Sequence, residues 1–347
     1  MRVAVIGAGG WGTALASLLV TGGHHTCLWV RRSVLYEQLR HKRENPLYLP
    51  GVSLPEALSY TTSLAEAAAE AELLVLAVPS QAMREVTSAL KPRLERTPLL
   101  VSVSKGIEEK TLQTMSAVLT EVLGESQRER LAVLSGPSFA AEVARSLPTA
   151  VTVAAHVAHV AATLQRVFAS SRFRVYTTSD VIGVEIGGAV KNVIAIAAGV
   201  SDGLGYGHSA RAALITRGLA EIVRLAVRMG AAPQTLSGLS GMGDLVLTCT
   251  SNLSRNHGVG VRLGKGEDIV SVLQGMTMVA EGVRTCRSVL SLSQRLGVEM
   301  PIVEQVYALL YTGKPPQQVV ADLLAREVKP EFPGQGKLTS PRWYGEI

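Results

Sequence analysis

A lysine in the second half of the chain lies in the middle of an apolar run, where it is placed to do acid–base chemistry. Lys191 is surrounded by glycine, alanine, valine and isoleucine between Gly187 and Ala198. Burial, or a second cation such as Lys105, lowers the pKa of an ammonium towards neutrality, where the group both donates and accepts protons. The alternative is a lysine whose stem is buried while its ammonium reaches water. The residue types leave both interpretations open.

Polar residues further along the chain are candidate partners for this lysine and for a substrate. Asp244 stands among glycines and apolar residues, and three roles remain open for it: a helix N-cap, an ion pair with Lys191, or a hydrogen bond to a substrate hydroxyl. Ser254, Arg255 and Asn256 place a hydroxyl, a guanidinium and an amide in consecutive positions, which suits a phosphate group. An ordinary polar turn has the same composition.

The N-terminal residues predict a nucleotide site. A β-branched run over residues 3–6 is followed by Gly7, Gly9 and Gly12 and then by an Ala/Leu-rich stretch at helical spacing. In this position between strand and helix, the first glycine permits a tight turn and the second lets a pyrophosphate approach the backbone. The third glycine lets the helix pack closely on the strand, and the helix N-terminus faces the phosphates. The pattern therefore predicts a dinucleotide cofactor.

The end of the second predicted strand indicates which nicotinamide cofactor is used. An NAD site commonly places an acidic residue there, to bind the ribose 2′-hydroxyl. This chain has Arg31, Arg32 and Ser33 instead. Two guanidinium groups suit a 2′-phosphate, so NADP is favoured and NAD tolerated; the alternative is that both are surface charges.

Composition limits the classes of protein and partner. A chain of 347 residues with 47% hydrophobic residues predicts two domains with large cores. The net charge of +6 comes from scattered Lys and Arg, which an anionic small molecule explains as well as a nucleic acid does. We therefore expect a small-molecule substrate and no nucleic-acid partner.

The cysteines and the apolar segments bear on the cellular compartment. Cys27, Cys249 and Cys286 are few, odd in number and without metal-ligand spacing, which predicts a reduced, cytoplasmic protein with no metal site. The N-terminus leads directly into a strand, so no signal peptide is predicted. The longest apolar stretches are interrupted by glycines and charges, so no membrane span is expected.

Strand and helix patterns divide the chain near residue 180. Near-continuous apolar strands alternate with helices in the first half, at residues 3–6, 26–30, 73–78, 99–104 and 131–134, with further edge strands at 149–154 and 173–176. Helical spacing replaces strand signals afterwards, with helices over 185–200, 209–228 and 286–296.

These patterns predict an α/β N-terminal Rossmann-like domain with a mostly parallel sheet, followed by an all-α C-terminal domain. The predicted boundaries are 1–180 for the nucleotide-binding domain, 181–330 for the helical substrate domain and 331–347 for a loose tail. Pro79-Ser80, Lys105-Gly106 and residues 136–138 lie at strand carboxyl ends, where ligands bind in such sheets.

Several motifs in fixed order give the chain a family resemblance. Over about residues 1–328 it resembles the soluble NAD(P)-dependent glycerol-3-phosphate dehydrogenases in their bacterial form. The motifs are Gly7-Ala-Gly-Gly-Trp-Gly12, Asn45-Pro-Leu-Tyr-Leu-Pro-Gly51, Ser104-Lys-Gly-Ile-Glu108, Ser135-Gly-Pro-Ser-Phe-Ala140, Gly187-Gly-Ala-Val-Lys-Asn-Val-Ile194, Arg211-Ala-Ala-Leu-Ile-Thr-Arg-Gly218, Gly243-Asp-Leu245 and Ser254-Arg-Asn256.

The resemblance implies the interconversion of sn-glycerol 3-phosphate and dihydroxyacetone phosphate, with Lys191 as the proton acceptor. It also implies a homodimer and a supply of glycerol 3-phosphate for glycerophospholipid synthesis. The positions matching its substrate contacts are Lys105, Gly136, Ser138, Lys191, Asp244, Ser254, Arg255 and Asn256. Those assigned to the cofactor, from the glycine fingerprint and from the resemblance, are Gly7, Gly9, Gly10, Trp11, Gly12, Arg31, Arg32, Tyr48, Lys105, Ala140, Arg255, Val279 and Glu281.

The chain departs from this family pattern at two places. The family often has serine at the position of Gly10, and it often has an acidic residue within or after the basic pair at Arg31 and Arg32. Two other functions remain open from the sequence. One is a related two-domain dehydrogenase acting on a hydroxy acid or a sugar phosphate, and the other is a non-catalytic protein that senses NADP.

Overall fold

Strands alternate with helices up to residue 178, and helices follow from residue 181. The computed structural model describes residues 1–94, 98–276, 280–328 and 330–331. Its strands are β1 Arg2–Ile6, β2 His25–Trp29, β3 Glu44–Asn45, β4 Leu49–Ser53, β5 Ser59–Thr61, β6 Leu73–Leu76, β7 Leu99–Ser102, β8 Leu131–Ser135, β9 Thr149–Ala155 and β10 Phe173–Thr178.

The helices of the first half are short and those of the second half include the longest. They are α1 Gly10–Thr21, α2 Ser33–Lys42, α3 Leu64–Ala68, α4 Met83–Leu90, α5 Met115–Leu123, α6 Ala140–Ala144, α7 Ala158–Phe168, α8 Val181–Gly203, α9 Gly207–Arg228, α10 Pro233–Leu236, α11 Asp244–Thr250, α12 Arg255–Gly264, α13 Ile269–Gln274, α14 Glu281–Leu296, α15 Pro301–Tyr311 and α16 Pro316–Leu324.

Eight strands form one twisted sheet in the order β10-β9-β8-β7-β6-β1-β2-β5. All neighbours pair in parallel except β8 and β9, which are antiparallel. The strand order reverses at β1, whose neighbours are β2 and β6, and the crevice at such a reversal is where ligands bind in open α/β sheets. The predicted fold class, a mostly parallel Rossmann-like sheet followed by a helical domain, is confirmed.

The predicted strands at 73–78 and 99–104 end two residues early. The Ser104 hydroxyl donates to the carbonyl oxygens of Val78, at 2.5 Å, and Leu76, at 3.3 Å. These side-chain bonds join the two segments just beyond the paired residues of β6 and β7. The residues released from the ladder form the loops that carry Ser80 and Lys105. The strands β3, β4 and β5 were not predicted: β3 and β5 are too short to give a pattern, and β4 contains a proline and a glycine.

Three buried clusters form the core. One lies on each face of the sheet, and the third fills the helical half around α8. Among the described residues, α8 is the one helix long and apolar enough to cross a membrane, and nearly all of its apolar stretch is buried inside the protein. It begins earlier than predicted because Asp180 caps it, accepting a 2.8 Å hydrogen bond from Gly183 N.

Candidate active site

Helix α8 carries Lys191 into the interior, where the residue is only 6% exposed. Two glycines one turn earlier leave the helix surface bare. A Cβ on Gly187 would lie 2.6 Å from the carbonyl oxygen of Ser240, and one on Gly188 would lie 2.6 Å from the Ser135 hydroxyl. The backbone ahead of α11 and the end of β8 therefore approach α8 closely, which brings Asp244 to Lys191 and places Gly136, a partner of Lys105, nearby.

Asp244 joins two lysines. Its Oδ1 accepts a hydrogen bond from Lys191 Nζ, and its Oδ2 accepts one of 2.7 Å from Lys105 Nζ. The carboxylate side chain is 1% exposed. Of the three roles left open by the sequence, the structure shows the ion pair with Lys191. Asp244 is the first residue of α11 and follows a π-helical turn, and the N-cap position belongs to Gly243.

The ammonium of Lys191 does not reach water, so the alternative of a lysine with a buried stem and a solvated head is wrong. Its second partner is the Thr248 hydroxyl, at 2.8 Å, which in turn donates to the carbonyl oxygen of Asp244 at 2.6 Å. The pKa of Lys191 is lowered to about 8, chiefly by burial; the negative charge of Asp244 opposes this shift, and the positive charge of Lys105 adds to it. An ammonium with this pKa exchanges protons near neutral pH.

The loop after β7 positions Lys105. Besides Asp244, its ammonium donates to the carbonyl oxygen of Gly136, at 3.1 Å, and the Ser138 hydroxyl donates to the same carbonyl oxygen at 3.2 Å. An ammonium has three N–H donors. Lys191 and Lys105 each use two on these partners, so each has one left for a ligand.

Ser254, Arg255 and Asn256 form a helix start rather than a turn. The Ser254 hydroxyl caps α12 by accepting from His257 N at 3.2 Å. The Asn256 amide nitrogen donates to Asn192 Oδ1, and its oxygen accepts from Gly282 N, both at 2.9 Å. Two of the three side chains therefore hold the end of α12 in place, and Arg255, which feels the charge of Glu281, is the first residue of the helix.

The loop between β1 and α1 has room for a pyrophosphate. Gly7 has a φ of 120°, which favours glycine, and a Cβ on Gly12 would collide with the carbonyl oxygen of Gly7. A Cβ on Gly9 would meet nothing within 4 Å, so open space lies above it. In the first turn of α1, the buried indole N–H of Trp11 has no hydrogen-bond partner among the described residues. These residues fit a dinucleotide.

The remaining predicted cofactor positions surround this loop. Arg32 donates to the Tyr48 hydroxyl and lies over its ring, with 5.3 Å between guanidinium carbon and ring centroid. Arg31 is exposed beside it. Ala140 begins α6 and lies against Gly10, whose Cβ would be 3.6 Å from that of Ala140. Val279 lies outside the described residues.

Glu281, at the start of α14, contacts the loop after β6. It accepts hydrogen bonds from the Ser80 hydroxyl at 2.7 Å and from Ser80 N at 3.4 Å. Burial raises the pKa of this carboxylate. The family resemblance gives Glu281 as a cofactor position, and no local motif does.

Thr248 and Asn192 were not predicted as site residues, and Ser80 was given only as part of a strand end where ligands bind, with no partner. Thr248 follows Asp244 by four residues and Asn192 follows Lys191 by one, so helical spacing from the residues already selected was an available signal. Nothing local distinguished Ser80 from other strand-end serines. Among the described residues, no group of three or more His, Cys, Asp or Glu could hold a metal ion.

Comparison with known proteins gives matches over nearly the whole chain. Residues 2–161 match the family described as NAD-dependent glycerol-3-phosphate dehydrogenase N-terminus, and residues 180–321 match the corresponding C-terminus. The glycerol-3-phosphate dehydrogenase (NAD(P)+) of Syntrophotalea carbinolica is 54% identical over 96% of this chain and 100% of its own length. That of Geobacter sulfurreducens is 55% identical over 95% and 98%.

A solved structure matches equally well. The crystal structure of glycerol-3-phosphate dehydrogenase from Coxiella burnetii superposes with a TM-score of 0.90 at 40% sequence identity, and covers 94% of this chain and 99% of its own.

Proposed function

We propose that Lys191 exchanges the proton with the substrate oxygen on C2, in a chain that belongs to the NAD-dependent glycerol-3-phosphate dehydrogenase family. The reaction is the interconversion of sn-glycerol 3-phosphate and dihydroxyacetone phosphate. The observation that carries this proposal is the pair of ammonium groups, those of Lys191 and Lys105, held on one buried carboxylate.

During reduction of the ketone, the C2 oxygen gains negative charge, and Lys191 is the better proton source of the two lysines. It is the more buried, and its pKa of about 8 is close to working pH. Two of its N–H groups are hydrogen-bonded to Asp244 and Thr248, so the third is the one proposed to donate to the substrate oxygen. In the reverse direction the neutral amine takes the proton from the hydroxyl.

Lys105 supports the same oxygen by charge. A second fixed ammonium next to a developing alkoxide stabilises it without the need to reorganise water. The carbonyl of Gly136 and the hydroxyl of Ser138 position this lysine and line the substrate position. Asp244 keeps both ammonium groups in place.

The substrate phosphate is proposed to bind at the start of α12. Arg255 supplies a forked, charge-assisted contact, and the helix N-terminus favours an anion. Because Ser254 and Asn256 already cap and anchor this helix end, we assign them the role of presenting the backbone N–H groups, with one amide hydrogen of Asn256 left for the phosphate.

NAD(P)H, when bound, supplies the hydride. We propose that the glycine loop and the first turn of α1 hold its pyrophosphate, and that Arg31, Arg32 and Tyr48 hold its adenosine end. The proposal that NADP is preferred rests on the two arginines and the missing acidic residue. Lys105, Ala140, Arg255, Val279 and Glu281 are the other proposed cofactor positions.

We propose that residues 1–180 bind the cofactor and that residues 181–330 complete the substrate site. We also propose that the enzyme is a cytoplasmic homodimer and that it supplies glycerol 3-phosphate for glycerophospholipids. The buried cores support the division, because they separate the two parts except at Ile107, which belongs to the helical core, and at Val181 and Val184, which belong to a sheet core. None of residues 207–217 in α9 is buried, and this helix face is the candidate surface for the dimer. Light scattering after gel filtration measures the assembly.

Substitution of Lys191 tests the proton assignment. Lys191→Ala should reduce kcat for dihydroxyacetone phosphate by at least about 1,000-fold while the affinity for NAD(P)H changes little. The matched control is Lys110→Ala, which removes an exposed lysine. The assignment is wrong if the Lys191 variant turns over at a near-normal rate.

The same assay separates the other functions. Loss of NAD(P)H absorbance with a 2-oxo acid but not with dihydroxyacetone phosphate would indicate a hydroxy-acid dehydrogenase. Binding of NADPH with no oxidation of it by either substrate would indicate a sensor. Arg255→Ala should chiefly raise the KM for dihydroxyacetone phosphate, and an unchanged KM would remove Arg255 from the phosphate site.

A further inference from the structure

Four glycines meet where α8 crosses α12, and we propose that this crossing sets the length of substrate that the enzyme accepts. They are Gly199, Gly203, Gly260 and Gly264. The inference rests on the proposed function, because it concerns the distance between the proton donor on α8 and the phosphate position on α12.

Backbone meets backbone at this glycine crossing. A Cβ on Gly199 would collide with the carbonyl oxygen of His257, and one on Gly260 would collide with that of Ile196. One turn further along, a Cβ on Gly264 would lie 2.5 Å from the carbonyl oxygen of Val200. Real Cβ contacts are essentially never shorter than 3.0 Å. Because the obstructing atoms belong to the backbone, a side chain at these positions forces the helices apart.

The spacing of the glycines makes the crossing a fixed joint. Gly199 and Gly203 are four residues apart on α8, as Gly260 and Gly264 are on α12, so each pair lies on one face of its helix. Glycines at this spacing let two helix backbones approach more closely than side chains allow. In this protein they occur in the interior of the helical half, where the surrounding core is closely packed.

Each helix carries one part of the chemistry at a short distance from the crossing. Lys191 precedes Gly199 by eight residues, about 12 Å along the helix axis. Arg255 precedes Gly260 by five residues, about 7.5 Å. A second tie, the 2.9 Å hydrogen bond from Asn256 to Asn192, joins the helices beside the catalytic lysine. The glycine crossing and this hydrogen bond together fix the spacing between the two helices.

A fixed joint of this kind selects by length. In dihydroxyacetone phosphate one methylene and the ester oxygen separate the C2 carbonyl from phosphorus. When the phosphate is bound at the end of α12, only an ester of that length places its carbonyl oxygen at the ammonium of Lys191. A misplacement of about 1 Å reduces the rate by about 100-fold. The crossing therefore rejects esters with an additional methylene between carbonyl and phosphate.

The test compares two alanine variants on the same helix. Gly260→Ala inserts a methyl group into the crossing. Gly258→Ala is the matched control, because a Cβ there would meet nothing within 4 Å and the gain in helix propensity is the same. The substrates are dihydroxyacetone phosphate and its homologue 4-hydroxy-3-oxobutyl phosphate, which has one more methylene before the phosphate.

We expect wild type and Gly258→Ala to prefer the natural substrate by at least about 30-fold in kcat/KM. Gly260→Ala should raise the KM for dihydroxyacetone phosphate at least about tenfold and reduce the preference at least about fivefold, because the wider spacing suits the longer ester. A merely structural role would lower the melting temperature and the activity on both esters alike. An unchanged preference in a folded Gly260→Ala enzyme would overturn the proposal.

Two measurements keep the test decisive if Gly260→Ala does not fold. Gly264→Ala perturbs the crossing one turn further from the site and should give a smaller change in the same direction. The wild-type enzyme needs no variant: if it reduces the longer ester with a kcat/KM within about threefold of that for dihydroxyacetone phosphate, the spacing is not selective. These failures leave the effects of Lys191→Ala and Arg255→Ala intact, so they are distinguishable from a failure of the proposed function.

Discussion

The glycine crossing between α8 and α12 and the contacts between the sheet loops and the helices hold the site together in opposite ways. The crossing is apolar, and its fit depends on missing side chains. Three of the contacts to the sheet half are polar and have a buried or partly buried carboxylate as the acceptor. These carboxylates are Glu185, Asp244 and Glu281, and their donors are Ser116, Lys105 and Ser80 respectively.

In all three polar contacts the acceptor belongs to the helical half and the donor to the sheet half. Ser80 and Lys105 follow neighbouring strands, and Ser116 lies in the first turn of α5. Burial raises the pKa of Glu185 and of Glu281, so these two contacts depend on charge that the interior disfavours.

The difference between the two kinds of contact divides the work of positioning. In the proposed site, shape sets the distance from the proton donor on α8 to the phosphate position on α12, both within one core. Charge sets the distance from the proposed substrate position to the proposed cofactor position, which lie on different halves. We therefore expect volume changes to alter substrate recognition, and charge changes to alter pH dependence and cofactor binding.

Removal of the central charge should have the largest effect. In Asp244→Asn two ammonium groups remain buried close together without their shared carboxylate. The negative charge of Asp244 raises the pKa of Lys191, so its loss should bring that pKa below about 8. We expect kcat for ketone reduction to fall at least about 100-fold, with the alkaline limb of the pH profile at lower pH, because reduction requires the ammonium.

Thr248→Ser is the matched control for that shift, since it keeps the hydroxyl that accepts from Lys191 and keeps Asp244. Its alkaline limb should stay where it is in wild type. An Asp244→Asn profile with the wild-type limb would mean that Lys191 is not the group that titrates.

Loss of the Ser80 hydroxyl should have a smaller effect and a different one. Ser80→Ala removes the 2.7 Å hydrogen bond to Glu281 and keeps the one from the backbone N–H at 3.4 Å, and a hydrogen bond to a charged group is worth about 1.5–3 kcal/mol. We expect the Kd for NAD(P)H, measured by fluorescence titration, to rise roughly tenfold, while kcat at saturating cofactor stays within about threefold of wild type.

A neutral contact at the same junction provides the comparison. The Ser288 hydroxyl, on α14, donates to the carbonyl oxygen of Ile107 at 3.0 Å. Ser288→Ala removes an uncharged hydrogen bond, so its effect on cofactor affinity should be clearly smaller than that of Ser80→Ala. Equal effects would show that charge is not what distinguishes these contacts.

A polar contact inside the helical half sharpens the comparison through stability. Glu221 accepts from Ile302 N at 2.7 Å and from Val303 N at 3.3 Å, at the start of α15. Burial raises its pKa from 4.5 to about 7. Because its pKa is raised in the folded state, the contribution of Glu221 to the free energy of unfolding is complete below pH 4.5 and is lost as pH rises through about 7.

Between pH 5 and pH 8 the free energy of unfolding of wild type should therefore fall by about 1–3 kcal/mol more than that of Glu221→Gln, which lacks the titrating group. Denaturant unfolding at several pH values measures it. An identical slope in both proteins would mean that Glu221 does not titrate in this range. Catalytic pH dependence should be unaffected, because this contact is remote from Lys191.

The features that the sequence predicted well are those encoded locally. Strand, glycine turn and helix follow one another within the first 21 residues, so the nucleotide loop was predictable from adjacent residues. Lys191 was selected because a charge in an apolar helix is unusual. The strand ends were predicted less well, because the apolar pattern continues past them; the contact found there, from the Ser104 hydroxyl to the carbonyl oxygens of Leu76 and Val78, joins segments distant in sequence.

The features that the sequence could not give are contacts between distant segments. Asp244 is 53 residues from Lys191, and the choice among its three roles depended on where α11 packs. The glycines of the crossing lie about 60 residues apart in the chain, and each is unremarkable until the other helix is present. The contact from Ser80 to Glu281 spans 201 residues. Propensity and periodicity do not report on such pairs.

The smallest expected effect concerns the departure from the family pattern at Gly10. Its Cβ would lie 2.7 Å from the carbonyl oxygen of Tyr48, so Gly10→Ser requires the loop at Tyr48 to shift. That loop is tied to the nucleotide turn through Asn45, which donates to the Ala8 carbonyl at 3.0 Å and to the Thr13 hydroxyl at 2.8 Å. The cost of the shift opposes the hydrogen bond that a serine hydroxyl offers to the cofactor.

We therefore expect Gly10→Ser to change the Kd for NADPH and NADH by no more than about threefold. Gly9→Ala is the contrasting variant, because its methyl group meets no protein atom within 4 Å and occupies the space proposed for the pyrophosphate. It should weaken both cofactors at least about tenfold with an unchanged melting temperature. If Gly10→Ser instead binds cofactor tenfold more tightly at an unchanged melting temperature, the Tyr48 loop adapts freely. Steric fit at this turn would then be much softer than at the glycine crossing.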